Sequence, residues 1–301
     1  VRSTIFRLID KDVVYLVFLV LLFLTAFAVP IFFLLQITSF PDEISVDDDA
    51  TADSLFPEAV AVNRSGTYLE IRSEEGVLDP SENEDFVFAT WFRLKSLPEE
   101  GEEVLFVAKF DAAHITRRGY SFGLMRDAGQ IVPVVNWRDG TNGGTTHRFS
   151  PMEIVPKRWT LLVLSFLDGR YLGMHGGFWL SNKENVSLSL LGGVELNPPI
   201  FPKSSTPLYI GALREGRFRG RLGPQMILKG HGLANEFATV LKRLSSQPLS
   251  PPETDVADVV MWTIGGSENR GSGKVDIEVF GAGGKARRGN GSDSGGGKKS
   301  R

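Results

Sequence analysis

Phe86-Val87-Phe88-Ala89-Thr90-Trp91-Phe92-Arg93-Leu94 is a short run of aromatic and β-branched residues with no glycine or proline inside it. It is preceded by Asn83-Glu84-Asp85 and followed by Lys95-Ser96-Leu97-Pro98, so it reads as one apolar strand bounded by turn chemistry. The same pattern repeats on either side. Alternating or fully apolar runs predict strands over Thr67–Arg72, Glu103–Phe110, Tyr120–Arg126, Ile131–Trp137, Trp159–Leu167, Gly177–Ser181, Pro207–Ala212 and Arg217–Leu228. Arg138-Asp139-Gly140, Asn142-Gly143-Gly144 and Leu167-Asp168-Gly169 supply turn residues that tolerate positive φ. Short strands at this spacing predict an all-β sandwich. Trp91 and Trp159 lie in apolar strands and are expected to be buried. A single soluble helix is predicted over Leu233–Ser245, where Leu233, Phe237, Val240, Leu241 and Leu244 share one face, and Pro248 stops it. Its narrow apolar stripe suits a lid packed on the sandwich.

Towards the beginning of the chain the character changes. Val13 to Leu35 contains no charged residue. At ~1.5 Å per residue it spans about 34 Å, enough to cross a hydrocarbon core of ~30 Å, with Pro30 expected to kink it. Arg2, Arg7 and Lys11 precede the run, and no Lys or Arg follows until Arg64, which predicts a cytoplasmic N-terminus and an external remainder. Ala26-Phe27-Ala28 resembles a signal-peptidase site, but the apolar run continues past it through Phe33, favouring an uncleaved anchor. The span holds no side chain suited to ligating a haem or chlorin or to relaying protons. The expected organisation is residues 1–12 cytoplasmic, 13–35 transmembrane, 36–58 an acidic external tether, 59–264 the sandwich and 265–301 a glycine-rich basic tail. In the tail only Val275 to Phe280 is strand-like. Taken alone the tail is expected to be disordered.

The 301 residues include no cysteine, which excludes disulfides, thiolate metal sites and thiol nucleophiles. Net charge is −3, with an acidic excess in the tether. Seven carboxylates there, among them Asp47-Asp48-Asp49, are read as a solvated spacer, with weak Ca²⁺ binding as the sharper alternative.

Several strings taken together resemble the concanavalin A-like domains of the laminin-G type. They are Ala61-Val62-Asn63-Arg64-Ser65-Gly66-Thr67-Tyr68-Leu69, the Phe86–Leu94 strand, Val107-Ala108-Lys109-Phe110-Asp111, Gly119-Tyr120-Ser121-Phe122-Gly123-Leu124, Arg158-Trp159-Thr160-Leu161-Leu162-Val163, and Pro207-Leu208-Tyr209-Ile210-Gly211 followed by Phe218-Arg219-Gly220-Arg221-Leu222. The resemblance covers about residues 59 to 249 and implies a jelly-roll sandwich of two curved antiparallel sheets. Two departures bear on function. Gly223-Pro224-Gln225 stands where many relatives carry an Asp-Glu pair, and the segment after Trp159 lacks the usual Tyr-x-Asn-Gly turn. Both departures count against an inherited ion or ligand site near those positions.

No catalytic residues are assigned. Val275-Asp276-Ile277-Glu278 resembles the acidic strand of laminarinase-type glycoside hydrolases, but Lys274 replaces its first Glu and the string is expected outside the sandwich. His114, His147, His175 and His231 are far apart and share no ligand spacing. No phosphate-binding glycine motif or nucleophile elbow occurs. Arg217, Arg219 and Arg221 alternate beside Arg214 and are candidate contacts to an acidic partner surface, together with Lys285, Arg287 and Arg288 of the tail. Trp137 and Trp179 are the candidate sugar-stacking residues. The function expected is a non-catalytic, membrane-anchored external scaffold or accessory subunit of a multi-subunit complex in a bacterial inner membrane, its sandwich periplasmic or extracellular. Its partners would be the lipid bilayer and other integral membrane subunits, and by resemblance of architecture a photosynthetic reaction-centre and light-harvesting assembly is one candidate. A carbohydrate-binding surface lectin is the alternative and a glycoside hydrolase the weaker one. Nucleic acid is not an expected partner.

Overall fold

The computed structural model describes residues 55–56, 58–62, 68–110, 118–138, 144–179, 186–211, 218–263, 268–280 and 287–288. All belong to the second of two units of the chain, 49–301. The apolar run 13–35, the carboxylates 47–49, Arg214, Arg217 and Lys285 lie outside the described residues. Among the described residues no helix is long and apolar enough to cross a membrane.

Fifteen strands are described: β1 Val60–Val62, β2 Tyr68–Ser73, β3 Asp85–Leu94, β4 Glu103–Phe110, β5 Gly119–Asp127, β6 Gln130–Arg138, β7 Gly144–Arg148, β8 Thr160–Leu167, β9 Tyr171–Phe178, β10 Ser189–Glu195, β11 Leu208–Ile210, β12 Gly220–Gly230, β13 Ala257–Thr263, β14 Val275–Phe280 and β15 Arg287–Arg288, with the helix α1 Leu233–Ser246. A seven-stranded sheet runs β1-β12-β3-β8-β9-β10, with β13 also paired to β12. An eight-stranded sheet runs β15-β14-β2-β11-β4-β5-β6-β7. The two antiparallel sheets enclose one core, which includes Leu69, Ile71, Phe106, Phe122 and Trp137 from the eight-stranded sheet and Phe86, Phe88, Phe92, Leu164 and Ile227 from the other.

The deciding strand is buried along its whole length. Phe86, Phe88 and Phe92 enter the intersheet core, whereas Val87, Ala89 and Trp91 point to the opposite face, into a second apolar layer. Period-two alternation alone would leave that second face in water. It is instead covered by Leu233, Val240 and Leu244 of α1 and by Phe56, whose ring meets Trp159 edge-on at 4.7 Å and Trp91 at 5.2 Å. Trp91 and Trp159 are buried as expected, and α1 is packed on the sandwich. Phe56, assigned by the sequence to the tether, is a core residue.

Three further expectations are revised. The strand expected at Gly177–Ser181 is Tyr171–Phe178, because the Asp168-Gly169 turn folds β9 straight back on β8. β1, β7, β10, β13 and β15 are not among the expected strands; β10 contains Gly192-Gly193 and a bulge. The run Val275–Phe280, expected outside the sandwich, is a full-length partner of β2.

Helix α1 starts at Gly232, which has no capping side chain. Its cap comes from a strand. Asp85, 6% exposed, accepts the Ala234 N–H on Oδ2 at 3.1 Å and the Asp168 N–H on Oδ1 at 2.7 Å. One carboxylate thereby joins β3, the β8–β9 turn and the helix.

His175 sits on β9 beneath the same helix, half-buried, with its ring edge-on to Phe237 at 5.2 Å. Burial lowers its pKa, and that of half-buried His147, below the ordinary value of 6.5. The folded state prefers both rings neutral, so their contribution is complete above about pH 6.5 and is lost as pH falls through the lowered folded values. We expect the melting temperature to fall with acidification over this window and His175→Gln to flatten the slope; an unchanged slope in thermal melts would remove His175 from this role.

Candidate functional site

The two sheets differ in what their outer faces carry. On the seven-stranded sheet the outer face is apolar and covered. On the eight-stranded sheet the strands alternate: Leu69 and Ile71 of β2 and Ile277 of β14 point into the core, so Tyr68, Glu70, Arg72, Asp276, Glu278 and Phe280 share the other face.

Register brings these residues together. Phe280 lies opposite Tyr68, Glu278 opposite Glu70, and Asp276 opposite Arg72. On the other side of β2, Glu70 lies opposite Tyr209, which in turn lies opposite Ala108. The row continues through Ser121 and Asn136 to Thr146. The Tyr68 and Phe280 rings stack at 5.0 Å with an interplanar angle of 12°, and Tyr209 meets Tyr68 at 6.0 Å. All three rings are half-buried. Arg72 directs Nε and a terminal nitrogen to Glu70 Oε1 at 2.8 and 2.6 Å. That hydrogen bond, with the attraction of the Glu70 charge, raises the guanidinium pKa further. Farther along the row, Asn136 Nδ2 donates to Ser121 Oγ at 3.1 Å and Glu103 Oε1 at 3.2 Å, while its Oδ1 accepts from Thr146 at 2.8 Å.

Between the aromatic and amide ends the row has only small side chains, Ala108 and Ser121, with Gly123 beside them. Gly123 is required there, because β4 bulges at Leu105 and any Cβ would collide with the Val104 carbonyl. The row runs from three half-buried rings at one end to fixed hydrogen-bonding groups at the other, with Ala108 and Ser121 buried between them. Rings accept the C–H faces of a ligand, and carboxylate, amide and hydroxyl groups pair with its hydroxyls.

Neither sugar-stacking candidate from the sequence belongs to this face. Trp137 is fully buried in the intersheet core, donates its indole N–H to the Ile200 carbonyl at 2.8 Å and packs against Phe166 and Tyr120. As an inward residue of a central strand it cannot meet a sugar. Trp179 is half-buried against Trp91 in the outer layer of the opposite sheet. Among the arginine candidates, Phe218 and Leu222 enter the core as the alternation requires, leaving Arg221 half-buried on the outer face of the seven-stranded sheet, while Arg219, half-buried just ahead of β12, lies beside Leu94, Pro98 and Glu102. Arg221 donates to the Ala59 carbonyl at 3.3 Å, tying β12 to the residue before β1. Arg287 and Arg288 form β15 against β14, with Arg288 in register with Glu278, so they belong to the other sheet from Arg219 and Arg221. Among the described residues no group of three or more metal-ligating side chains is gathered.

No protein-family model and no curated protein matches the chain. Solved structures resemble it distantly. The binding domain of Paraclostridial Mosquitocidal Protein 1 aligns at 15% identity and a TM-score of 0.37, covering 55% of this chain and 40% of its own. The enzymatically active domain of tailspike protein 2 from bacteriophage CBA120 aligns at 12% and 0.44, covering 68% and 31%. The CBM40 domain of a Ruminococcus gnavus sialidase, solved with α2,3-sialyllactose, aligns at 11% and 0.36, covering 55% and 85%. The chain thus spans well under half the length of the first two. Likenesses this distant say nothing about what this chain binds.

Proposed function

We propose that the sandwich is a glycan-binding module that takes its ligand on the outer face of the eight-stranded sheet. The observation that carries this reading is the cluster of Tyr68, Tyr209 and Phe280 set in register beside Glu70, Glu278 and Arg72. Stacking surfaces next to fixed polar groups are what a pyranose, apolar on its faces and polar at its rim, requires. The resemblance to laminin-G-type domains belongs to the same proposal. The test is a glycan array probed with the full chain in detergent, followed by Tyr209→Ala. Loss of the aromatic contact should weaken binding about 5- to 30-fold, equivalent to ~1–2 kcal/mol. Absence of binding to any glycan, or full affinity in the Tyr209→Ala protein, would abandon the reading.

A membrane-anchored scaffold is the second reading, favoured by the uncharged run Val13 to Leu35 and the basic residues before it. A photosynthetic assembly is one complex it could serve. Stoichiometric co-migration with integral membrane subunits on a native gel is expected; migration alone at monomer mass would remove it.

A further inference from the structure

Away from that face, one ion pair is fully buried among the described residues. Lys109, near the end of β4, and Asp79, in the connection from β2 to β3, place Nζ 2.8 Å from Oδ1, with side chains 4% and 1% exposed. Lys109 points inward, opposite Tyr120 in the β4–β5 register. The Tyr120 hydroxyl donates to the Leu78 carbonyl at 2.8 Å, and its ring lies edge-on to Phe86 and against Trp137. The Ser204 carbonyl accepts a hydrogen bond from the same Nζ. Aromatic groups therefore exclude water from an amine and a carboxyl held in contact.

We propose that Lys109 and Asp79 join as an intramolecular isopeptide bond. A dry site penalises both charges of the pair, and condensation removes both at once. Burial pushes the Asp79 carboxyl above its ordinary range, against the opposing effect of Lys109. The neutral amine attacks Cγ; the C–N bond forms, the C–OH bond breaks, and the hydroxyl leaves with the proton shed by nitrogen as one water. No oxidant or co-reactant enters. Permanent contact supplies the high effective concentration that such a condensation needs, and the Ser204 carbonyl anchors the amine. The bond would also have a structural purpose. β4 belongs to the eight-stranded sheet and Asp79 leads into β3 of the seven-stranded sheet, so the amide ties the two layers in a chain without cysteine.

The test is the mass of the purified full chain, followed by a tryptic map of the denatured protein. We expect a mass lower by one water than the sequence requires, a branched peptide containing residues 79 and 109, and no cleavage after Lys109. Lys109→Arg and Asp79→Ala should return to their own sequence masses. The map of the unmodified protein decides the matter even if those variants do not fold. A wild-type chain at its sequence mass with normal cleavage after Lys109, or a water loss mapped elsewhere, overturns the proposal.

Discussion

Trp137→Ala is expected to destabilise the protein by about 3–5 kcal/mol, the range for removing a large aromatic side chain from a packed core. Trp137 is fully buried, with Phe166 at 5.1 Å and Tyr120 at 5.9 Å between ring centroids, so its loss opens a cavity that neighbouring rings cannot close. The Ile200 carbonyl also loses its donor, and an unsatisfied buried acceptor adds to the cost. Trp137→Phe keeps most of the ring contact and should cost less, about 1–3 kcal/mol, chiefly for the hydrogen bond and the lost ring volume. Urea denaturation of the two variants checks the order. A Trp137→Ala protein of wild-type stability that had lost glycan binding would instead return Trp137 to the sugar-stacking role expected from the sequence.

Asp85→Ala should cost about 2–4 kcal/mol. Hydrogen bonds to a charged acceptor contribute ~1.5–3 kcal/mol each, reduced here because the unfolded carboxylate is well hydrated. One of the two bonds is the N-terminal cap of α1, which has no other side-chain cap. The loss should be uneven, with α1 opening first because its N-terminus and the β8–β9 turn share that one carboxylate. Hydrogen exchange should show the helix amides accelerated before those of β5 and β6. A denaturation midpoint within ~0.5 kcal/mol of wild type would mean that water replaces Asp85 at both N–H groups.

The order of most strands was legible in this chain because a strand's alternation is a local property, set by whether each successive side chain faces the core. Thr67–Arg72 declared itself this way; Phe86–Leu94 and Trp159–Leu167, apolar on both faces, declared themselves as unbroken apolar runs between turn residues, and α1 by a stripe that needs only its own spacing. Legibility ended where an element depends on a distant partner. Val275–Phe280 alternates no less clearly than β2, yet its glycine-rich surroundings read as a tail. Only pairing with a strand some two hundred residues earlier makes it part of a sheet.

The candidate site shows the same division. Tyr68, Glu70 and Arg72 alternate visibly in the sequence, as do Asp276, Glu278 and Phe280. Nothing local, however, says that Phe280 stacks on Tyr68 or that Tyr209 completes the cluster. Conversely, the two expected stacking residues lie off this face: Trp137 faces inward with Val135 and Ile131 of the same strand, and Trp179 packs on the other sheet. Hydrophobic periodicity, written residue by residue, suffices for a β-sandwich with one covering helix. Tertiary structure alone decided which face is covered, which strands are neighbours, and that Lys109 meets Asp79, because register and layer packing are set by contacts between segments that no local pattern encodes.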